Sequence, residues 1–321
     1  MNRLARLAFS VACSFGLLPC HASNNGTNGM ADTTSSTMPV LKLNNGIEMP
    51  QFGIGTFTLP DNENTVELLV QALKRGYRHI DTAHAYRNER SVGKAIRESG
   101  VPREEIWLTS KLWPNEYGEG KTVKAIDDML QRLGVDYIDL MYLHQPVGDY
   151  KGAWHDLEKA VAQGKVRSIG ISNFDYNDRV FSDIVDSMKI KPAAMQIECH
   201  PYAQRKQWQD KLKQHHIVLE CWYPLGGRAS NGALLRDPVI CGIAEAHGKT
   251  AAQVIIRWHI QECFSVIPGI DDPKYIDENI QALNFTLSDE EMDAIRALDK
   301  EQRFFNMTYE EACHRFGNHV L

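Results

Sequence analysis

Hydrophobic residues come in short continuous runs that alternate with amphipathic stretches. The runs predict strands at residues 52–57, 79–82, 106–112, 138–144, 166–173, 194–199, 217–224 and 265–268, because strands covered on both faces are apolar throughout. A period of about 3.6 residues predicts helices at residues 62–75, 89–99, 117–133, 150–163, 178–188, 205–215, 273–283 and 289–299, and more than one helix from residue 238 through residue 261. Two further runs, 40–43 and 47–49, flank Asn44, Asn45 and Gly46, which is typical of a hairpin.

This order predicts an α/β fold, a (β/α)8 TIM barrel preceded by a β-hairpin. Eight strands alternate with helices, and in a chain of 321 residues a closed barrel fits this pattern better than an open sheet. The first strand is not followed by a Gly-x-Gly-x-x-Gly turn, which disfavours a Rossmann fold. The hairpin is expected at the bottom of the barrel. The less periodic tail, residues 300–321, is either a packed or frayed terminus or a flap over the barrel mouth.

The first residues indicate a different kind of segment. Residues 1–22 resemble a signal peptide, with two arginines before an apolar stretch and a small residue at the end. Residues 23–38 are rich in Ser, Thr and Asn and are expected to be a disordered spacer, so the barrel domain is predicted at 39–321. Met38 is an alternative translation start. The protein is exported if the leader is real and cytoplasmic if translation begins at Met38.

Composition narrows the class of protein. Hydrophobic residues make up 43% of the chain and charged residues 24%, enough for a globular core. The net charge of -6 argues against nucleic acid as a partner, and no apolar run is long enough to span a membrane. The seven cysteines have no metal-ligand spacing, so no metal is predicted. We interpret Cys199, Cys221, Cys241 and Cys263 as small buried hydrophobic residues, which favours a reducing compartment.

Ionisable residues fall at the ends of consecutive predicted strands. Asp81, Lys111 and His144 end the second, third and fourth strands, and Tyr86 lies in the loop after Asp81. Alone, each could be an ordinary solvated terminus, and Asp81 could cap a helix. In a barrel, however, the carboxyl ends of the strands converge on one mouth, where catalytic groups gather.

These residue types suggest proton donation. A tyrosine has a pKa of about 10, and a nearby ammonium such as that of Lys111 should lower the pKa of Tyr86. Asp81 would keep Lys111 protonated, Tyr86 would donate a proton to a developing alkoxide, and His144 would orient the carbonyl. No nucleophile–base pair accompanies them. An acid that lacks an electron source suggests a hydride-donating cofactor.

Several motifs together resemble the aldo-keto reductase family over residues 40–299. They are residues 76–93, 109–113, 170–174, 196–201, and 267–268 with Pro273, Glu278 and Asn279. The resemblance implies an oxidoreductase that transfers hydride from NAD(P)H to an aldehyde or ketone. It also implies a catalytic tetrad of Asp81, Tyr86, Lys111 and His144, with Tyr86 as the general acid.

The resemblance further implies two sets of binding residues. At the nicotinamide end of the cofactor, Ser172, Asn173 and Gln196 would bind the carboxamide, and Trp222 would stack on the ring with Pro224 and Leu225 beside it. At the other end, Glu278 and Asn279 would contact the adenine. The substrate pocket would be lined by Phe57, Trp113, His144 and Gln145.

The expected 2′-phosphate site departs from the family pattern. Its usual Lys, Ser and Arg are replaced by Gly269, Ile270 and Tyr275, and Asp271 and Asp272 add negative charge that would oppose a phosphate. NADP(H) is thus implied by the resemblance, but NAD(H) remains possible and a reduced preference for NADPH is expected.

The substrate pocket departs from the pattern as well. Gln145 stands where an aromatic residue is common, and the segment 146–149 is short. Both suggest an open, polar mouth suited to small polar carbonyl compounds, such as sugar-derived or dicarbonyl molecules. Two alternatives to this reductase remain: a cofactor-binding regulatory or sensing barrel without turnover, and an inactive exported paralogue. The protein is expected to be a monomer.

Overall fold

The computed structural model describes residues 38–317. The signal-peptide-like segment, nearly all of the expected spacer and the last four residues lie outside the described part of the chain. Their boundaries therefore stay predictions. No helix within residues 38–317 is long and apolar enough to cross a membrane.

A hairpin precedes the barrel, as predicted. Strands β1 (Val40–Lys42) and β2 (Glu48–Pro50) pair antiparallel, with Leu41 opposite Met49. Gly46 has a φ of +85°, a left-handed conformation that glycine adopts without a steric cost. The apolar face of the hairpin packs against Trp107 and Leu140, near the starts of two barrel strands. The hairpin therefore covers the amino end of the barrel.

The central sheet contains eight parallel strands among the described residues. They are β3 (Ile54–Gly55), β4 (His79–Asp81), β5 (Trp107–Leu112), β6 (Ile138–Leu143), β7 (Val166–Ser172), β8 (Ala194–Glu198), β9 (Val218–Trp222) and β10 (Ser265–Val266). Neighbours in the chain are neighbours in the sheet, and bridges from Phe52 to Val266 and from Gly55 to Gly269 join the first strand to the last. The predicted barrel is confirmed.

Helices surround the sheet. They are α1 (Glu63–Lys74), α2 (Glu89–Glu98), α3 (Lys121–Leu133), α4 (Tyr150–Ala162), α5 (Asp178–Val185), α6 (Lys206–Gln214), α7 (Pro238–His247), α8 (Ala251–Gln261), α9 (Lys274–Ile280), α10 (Asp289–Arg296) and α11 (Tyr309–Phe316). Helix α3 begins four residues later than predicted. The reason is that the chain first makes a 3-10 turn, Pro114–Glu116, and then passes through Gly118 and Gly120, both with positive φ.

The tail contains helix α11, which the periodicity did not predict. Its sequence signal is a capping box, in which Thr308 Oγ1 accepts from the N–H of Glu311 (3.2 Å) and the Glu311 carboxylate accepts from the N–H of Thr308 (2.7 Å). Ala312 and Phe316 of this helix pack against Trp113 at the carboxyl end of the barrel. The interpretation as a flap over the mouth is therefore correct.

The cysteines divide into two groups. Cys199 and Cys221 are buried, whereas Cys241 and Cys263 are exposed, so the interpretation of all four as buried residues was wrong for two of them. Cys241 lies on the outer face of α7, whose Ile240 and Ile243 face inward. Because α7 is mostly apolar, its composition does not show which of its residues face outward.

Candidate active site

Four side chains meet at the carboxyl end of the barrel. Asp81 is the last residue of β4, Lys111 lies one residue before the end of β5, and His144 directly follows β6. Tyr86 closes a single 3-10 turn, His84–Tyr86, after β4. Adjacent parallel strands end at the same edge, so residues far apart in sequence are brought together.

Lys111 is the centre of the group. Its Nζ lies 2.5 and 2.7 Å from the two carboxylate oxygens of Asp81, and it donates to the carbonyl oxygen of Thr82 at 3.0 Å. The hydroxyl oxygen of Tyr86 is 3.3 Å from the same ammonium. Lys111 and Asp81 are fully buried. One buried cation therefore links a carboxylate to a phenol.

The charge states follow from burial and from these contacts. Burial is the largest single effect and disfavours the Lys111 ammonium, but the carboxylate of Asp81 acts together with Tyr86 and Glu220 to outweigh it, so the pKa of Lys111 is raised. Burial raises the pKa of Tyr86 to about 12, and the ammonium of Lys111 opposes this shift without reversing it. The expected net lowering of the Tyr86 pKa was therefore wrong, because desolvation of the phenolate dominates. Tyr86 is protonated at neutral pH, as a proton donor must be.

His144 is uncharged. Burial, and then the Lys111 ammonium, hold the pKa of His144 well below its ordinary value. Its ring centroid lies 5.9 Å from that of Tyr86 and 5.0 Å from that of Trp113, in edge-to-face contacts. Nδ1 of His144 has no hydrogen-bond partner in the part of the chain that the structure describes. A neutral imidazole is thus placed beside the phenol.

Aromatic rings continue this row on both sides. The ring of Phe57 is 5.1 Å from that of Tyr86, and the ring of Phe316 is 5.3 Å from that of Trp113. Phe57 is 56% exposed, which is unusual for a phenylalanine and opens this side of the site to solvent. Gln145 is buried next to His144, and its Oε1 finds no partner within residues 38–317. The residues expected to line the substrate pocket therefore flank the tetrad.

Asn173 connects the ends of three strands. With a φ of +63°, it donates from Nδ2 to the carbonyl oxygen of His144 (3.0 Å) and to Ser172 Oγ (3.2 Å). Its Oδ1 accepts from Trp222 Nε1 at 3.1 Å. The half-buried indole of Trp222 is therefore held in place by Asn173 at the mouth. Pro224 and Leu225 follow directly, in a turn closed by the N–H of Gly226.

Gln196 lies deeper, below Asp81. Its Nε2 donates to Asp81 Oδ2 (2.8 Å) and to Glu220 Oε1 (2.6 Å), so the protein already uses the amide nitrogen. Glu220 is fully buried and also accepts from Ser265 Oγ at 2.8 Å, and burial raises its pKa. Sequence reasoning missed Glu220. Its signal is a single acid inside an otherwise apolar strand.

The residues expected at the adenine lie on α9, after β10. Glu278 Oε1 accepts from Thr250 Oγ1 at 2.7 Å, and Asn279 is buried. At the expected 2′-phosphate position, a Cβ added to Gly269 would meet the carbonyl oxygen of Gly55 at 3.8 Å, an ordinary contact. The nearby Lys274 is paired with Asp272 at 3.1 Å.

A carboxylate on β8 holds the tail. Glu198 is fully buried and accepts from Arg303 Nε (3.0 Å) and from the N–H groups of Phe304 (2.6 Å) and Phe305 (3.2 Å). Burial alone would raise the pKa of Glu198, but these donors and His200 lower it overall. Phe305 is thereby placed 5.7 Å from the ring of Trp222.

A second cluster lies outside the mouth. Cys199, Cys221 and His259 are buried with their potential ligand atoms within 4.8 Å of one another. The two ring nitrogens of His259 are 2.8 Å from the carbonyl oxygen of Ile255 and 3.1 Å from that of Cys199. Each ring nitrogen already lies within hydrogen-bond distance of a backbone carbonyl oxygen, so a metal ion at either nitrogen would compete with a backbone contact. Sequence spacing could not reveal this cluster, because its members lie directly after β8, on β9 and on α8.

The chain is similar to known proteins in both sequence and structure. The model of the Aldo/keto reductase family matches residues 51–300. The chain belongs to this family. An "Aldo-keto reductase" of Mycolicibacterium smegmatis is 45% identical over 269 residues, which cover 83% of this chain and 95% of the relative. A "Glyoxal reductase" of Bacillus subtilis is 42% identical over 270 residues, which cover 84% of this chain and 96% of that protein.

Solved structures agree with this assignment. An aldo/keto reductase from Brucella melitensis superimposes with a TM-score of 0.77 at 40% identity, over 82% of this chain and all of that one. The aldo-keto reductase MGS-M4, from a deep-sea metagenome library, gives 0.80 at 37% identity, over 88% of this chain and all of that one. As an aldo/keto reductase, the protein is an oxidoreductase that reduces carbonyl groups with a nicotinamide cofactor. The prediction from sequence is confirmed, and no relative named here supports the non-catalytic alternative.

Proposed function

We propose that this aldo/keto reductase reduces small polar aldehydes and ketones, with Tyr86 as the proton donor and with Asp81, Lys111 and His144 completing the tetrad. The observation that carries the proposal is the position of Lys111. Its ammonium is held by Asp81 at 2.5 Å and lies 3.3 Å from the phenol of Tyr86. A cation in that place stabilises the phenolate that remains once the proton has left.

The four residues divide the work between them. A reduced nicotinamide cofactor supplies the hydride when it is bound. The neutral imidazole of His144 orients the substrate by a hydrogen bond to its carbonyl oxygen, and Tyr86 gives its proton to that oxygen as the alcohol forms. We assign Trp222 to the face of the nicotinamide ring, because its indole is held by Asn173, and we assign Ser172, Asn173 and Gln196 to the carboxamide.

The polar wall of the mouth supports small, polar substrates. An unpartnered buried carbonyl oxygen costs about 1–3 kcal/mol, and Oε1 of Gln145 is such a group. A substrate hydroxyl or hydrate next to the carbonyl would donate to this oxygen once the buried Gln145 side chain turns toward the mouth. The similarity to a protein named glyoxal reductase agrees with this class. Turnover should be faster with dicarbonyl and sugar-derived compounds than with a steroid ketone; the reverse order would overturn the proposal.

We also propose a weak preference for NADPH over NADH. Gly269 and Tyr275 supply no positive charge for a 2′-phosphate, and the nearby cation of Lys274 is neutralised by Asp272. Comparable Michaelis constants for the two cofactors would support this proposal. A strong preference for NADPH would contradict it.

The deciding experiment compares the wild type with Tyr86→Phe, following cofactor oxidation by absorbance with a panel of small aldehydes. Loss of the general acid should lower kcat by at least about 100-fold and leave cofactor affinity unchanged. Tyr137→Phe is the matched control, because the ring of Tyr137 contacts Arg103 at the amino end of β6, away from the mouth. Equal turnover by Tyr86→Phe and the wild type would refute the assignment.

The remaining expectations concern partners. We propose that the protein works as a monomer and does not bind nucleic acid, since its net charge of -6 would repel phosphates. Light scattering of the purified protein, with and without cofactor, measures its oligomeric state. A stable dimer would contradict it.

A further inference from the structure

A carboxylate outside the tetrad joins the two loops that form the mouth. Glu116 closes the 3-10 turn after β5, and only 8% of it is exposed. Its Oε2 accepts from the backbone N–H of Trp113 at 2.8 Å. Its Oε1 lies 2.8 Å from Nδ1 of His84. The two oxygens of one side chain are therefore used by two different loops.

His84 lies in the loop that carries the proton donor. It begins the single turn that ends at Tyr86. Two hydrogen bonds close this turn: the N–H of Tyr86 donates to the carbonyl oxygen of Ala83 (3.0 Å), and the N–H of Arg87 donates to the carbonyl oxygen of His84 (3.0 Å). So short a turn has few internal bonds. A contact that holds the ring of His84 therefore limits the rotation of the whole turn, and with it the direction of the Tyr86 phenol.

Trp113 lies on the other side of the mouth. Its indole ring packs 5.0 Å from the imidazole of His144 and so forms part of the wall against which a substrate would lie. The turn that carries Glu116 is itself anchored to α3, because Thr122 Oγ1 donates to the carbonyl oxygen of Glu116 at 2.8 Å. Glu116 is thus anchored in place, and it contacts both the loop that carries Tyr86 and the residue that forms the wall, Trp113.

The contact between His84 and Glu116 is electrostatic in character. Nδ1 is close enough for an ion pair, but the angles are not those of a hydrogen bond. The carboxylate of Glu116 therefore acts on the imidazole of His84 through its negative charge at a distance of 2.8 Å. A second acid near His84 is Glu89 on α2, which is paired with Arg132 at 2.5 Å.

We propose that Glu116 is a positioning residue, which through His84 holds the Tyr86 turn at a constant separation from the Trp113 wall. The inference rests on the proposed role of Tyr86 as the proton donor. A small misplacement of a reacting group lowers the rate of the chemical step much more than it lowers binding. Loss of the contact between Glu116 and His84 should therefore reduce kcat, whereas loss of the contact to Trp113 should also weaken substrate binding.

The test uses the intact protein with a small aldehyde and saturating cofactor, and compares Glu116→Gln, His84→Ala and the double variant. Glutamine keeps an oxygen for the N–H of Trp113 but carries no charge for His84. Each single change should lower kcat about tenfold, with the carbonyl KM within about twofold of the wild type and the cofactor Kd unchanged. The double variant should be no slower than the slower single variant, because the two residues act as one unit.

Glu119→Gln is the matched control, since Glu119 lies in the same loop and its side chain forms an exposed pair with Lys159 at 3.1 Å. It should leave kcat and KM unchanged. Glu116→Ala should in addition raise the carbonyl KM, a split that a general loss of folded protein would not produce. Normal kcat in both single variants, losses that multiply in the double variant, or a weakened cofactor Kd would each overturn the proposal. A wild type that reduces no carbonyl would show instead that the proposed function itself is wrong, and the positioning role would fall with it.

Discussion

The ion pair between Lys111 and Asp81 makes a stability prediction that can be separated from the activity. Asp81→Asn preserves the shape of the side chain but removes its charge. Because both partners are fully buried, the change leaves an ammonium inside the barrel without its carboxylate. Lys111 must then either stay charged without a carboxylate partner or lose its proton.

The size of the effect follows from the surroundings. Breaking a buried ion pair by removing one partner costs about 3–5 kcal/mol. Two groups reduce the cost here: the carbonyl oxygen of Thr82 still accepts from Lys111 at 3.0 Å, and the nearby Glu220 still favours its charge. We therefore expect the lower value, about 3 kcal/mol. At about 2 °C for each kcal/mol in a chain of this size, the melting temperature should fall by about 6 °C.

A second substitution should restore stability without restoring activity. Lys111→Met, added to Asp81→Asn, removes the unpaired ammonium, and replacing a buried pair by apolar or neutral groups is often neutral. The double variant should therefore melt above Asp81→Asn. Its kcat should remain lower than that of the wild type by at least about 100-fold, since no cation then faces Tyr86.

The assay is thermal unfolding followed by circular dichroism, beside cofactor oxidation with a small aldehyde. Asp127→Asn is the control, because Asp127 forms an ion pair with Lys165 at the same 2.5 Å distance but at the surface. An exposed pair contributes about 0–1 kcal/mol, so this variant should melt close to the wild type. The reasoning is refuted if Asp81→Asn melts no lower than Asp127→Asn, or if the double variant melts below the single one.

Three further results are expected. The value of kcat/KM for carbonyl reduction should be constant between about pH 6.5 and 9. The reason is that Tyr86 is protonated below its pKa of about 12 and His144 is neutral above its lowered pKa. A decline within this range would count against both roles. Glu198→Gln should speed amide hydrogen exchange at Phe304, since a neutral amide is a weaker acceptor than the carboxylate that lies 2.6 Å away; unchanged exchange would mean that Glu198 does not hold the tail. Gly269→Lys should raise the ratio of NADPH to NADH activity, because a lysine supplies positive charge and its Cβ would make only an ordinary contact with Gly55; an unchanged ratio would place the 2′-phosphate elsewhere.

Much of the fold could be predicted from the local pattern of apolar and polar residues. Strands covered on both faces are apolar throughout, and helices packed on one side are periodic, so the order of elements could be read along the chain. Once that order specifies a barrel, strand ends share one edge. Asp81, Lys111 and His144 could therefore be placed together before any distance was known. Even α11, which was missed, carried a readable capping box at Thr308 and Glu311.

Only the tertiary structure could decide quantities that depend on burial and on contacts across the barrel. The pKa of Tyr86 depends on desolvation as well as on Lys111, and no spacing along the chain shows which effect is larger. The contact of Gln196 with Glu220 and that of Glu116 with His84 join residues from different strands and loops. Their side-chain directions are set by packing, because the same residue types could equally have faced solvent. The sequence by itself thus determined which chemical groups reach the mouth, whereas the packed barrel determined their charge states and what holds them in position.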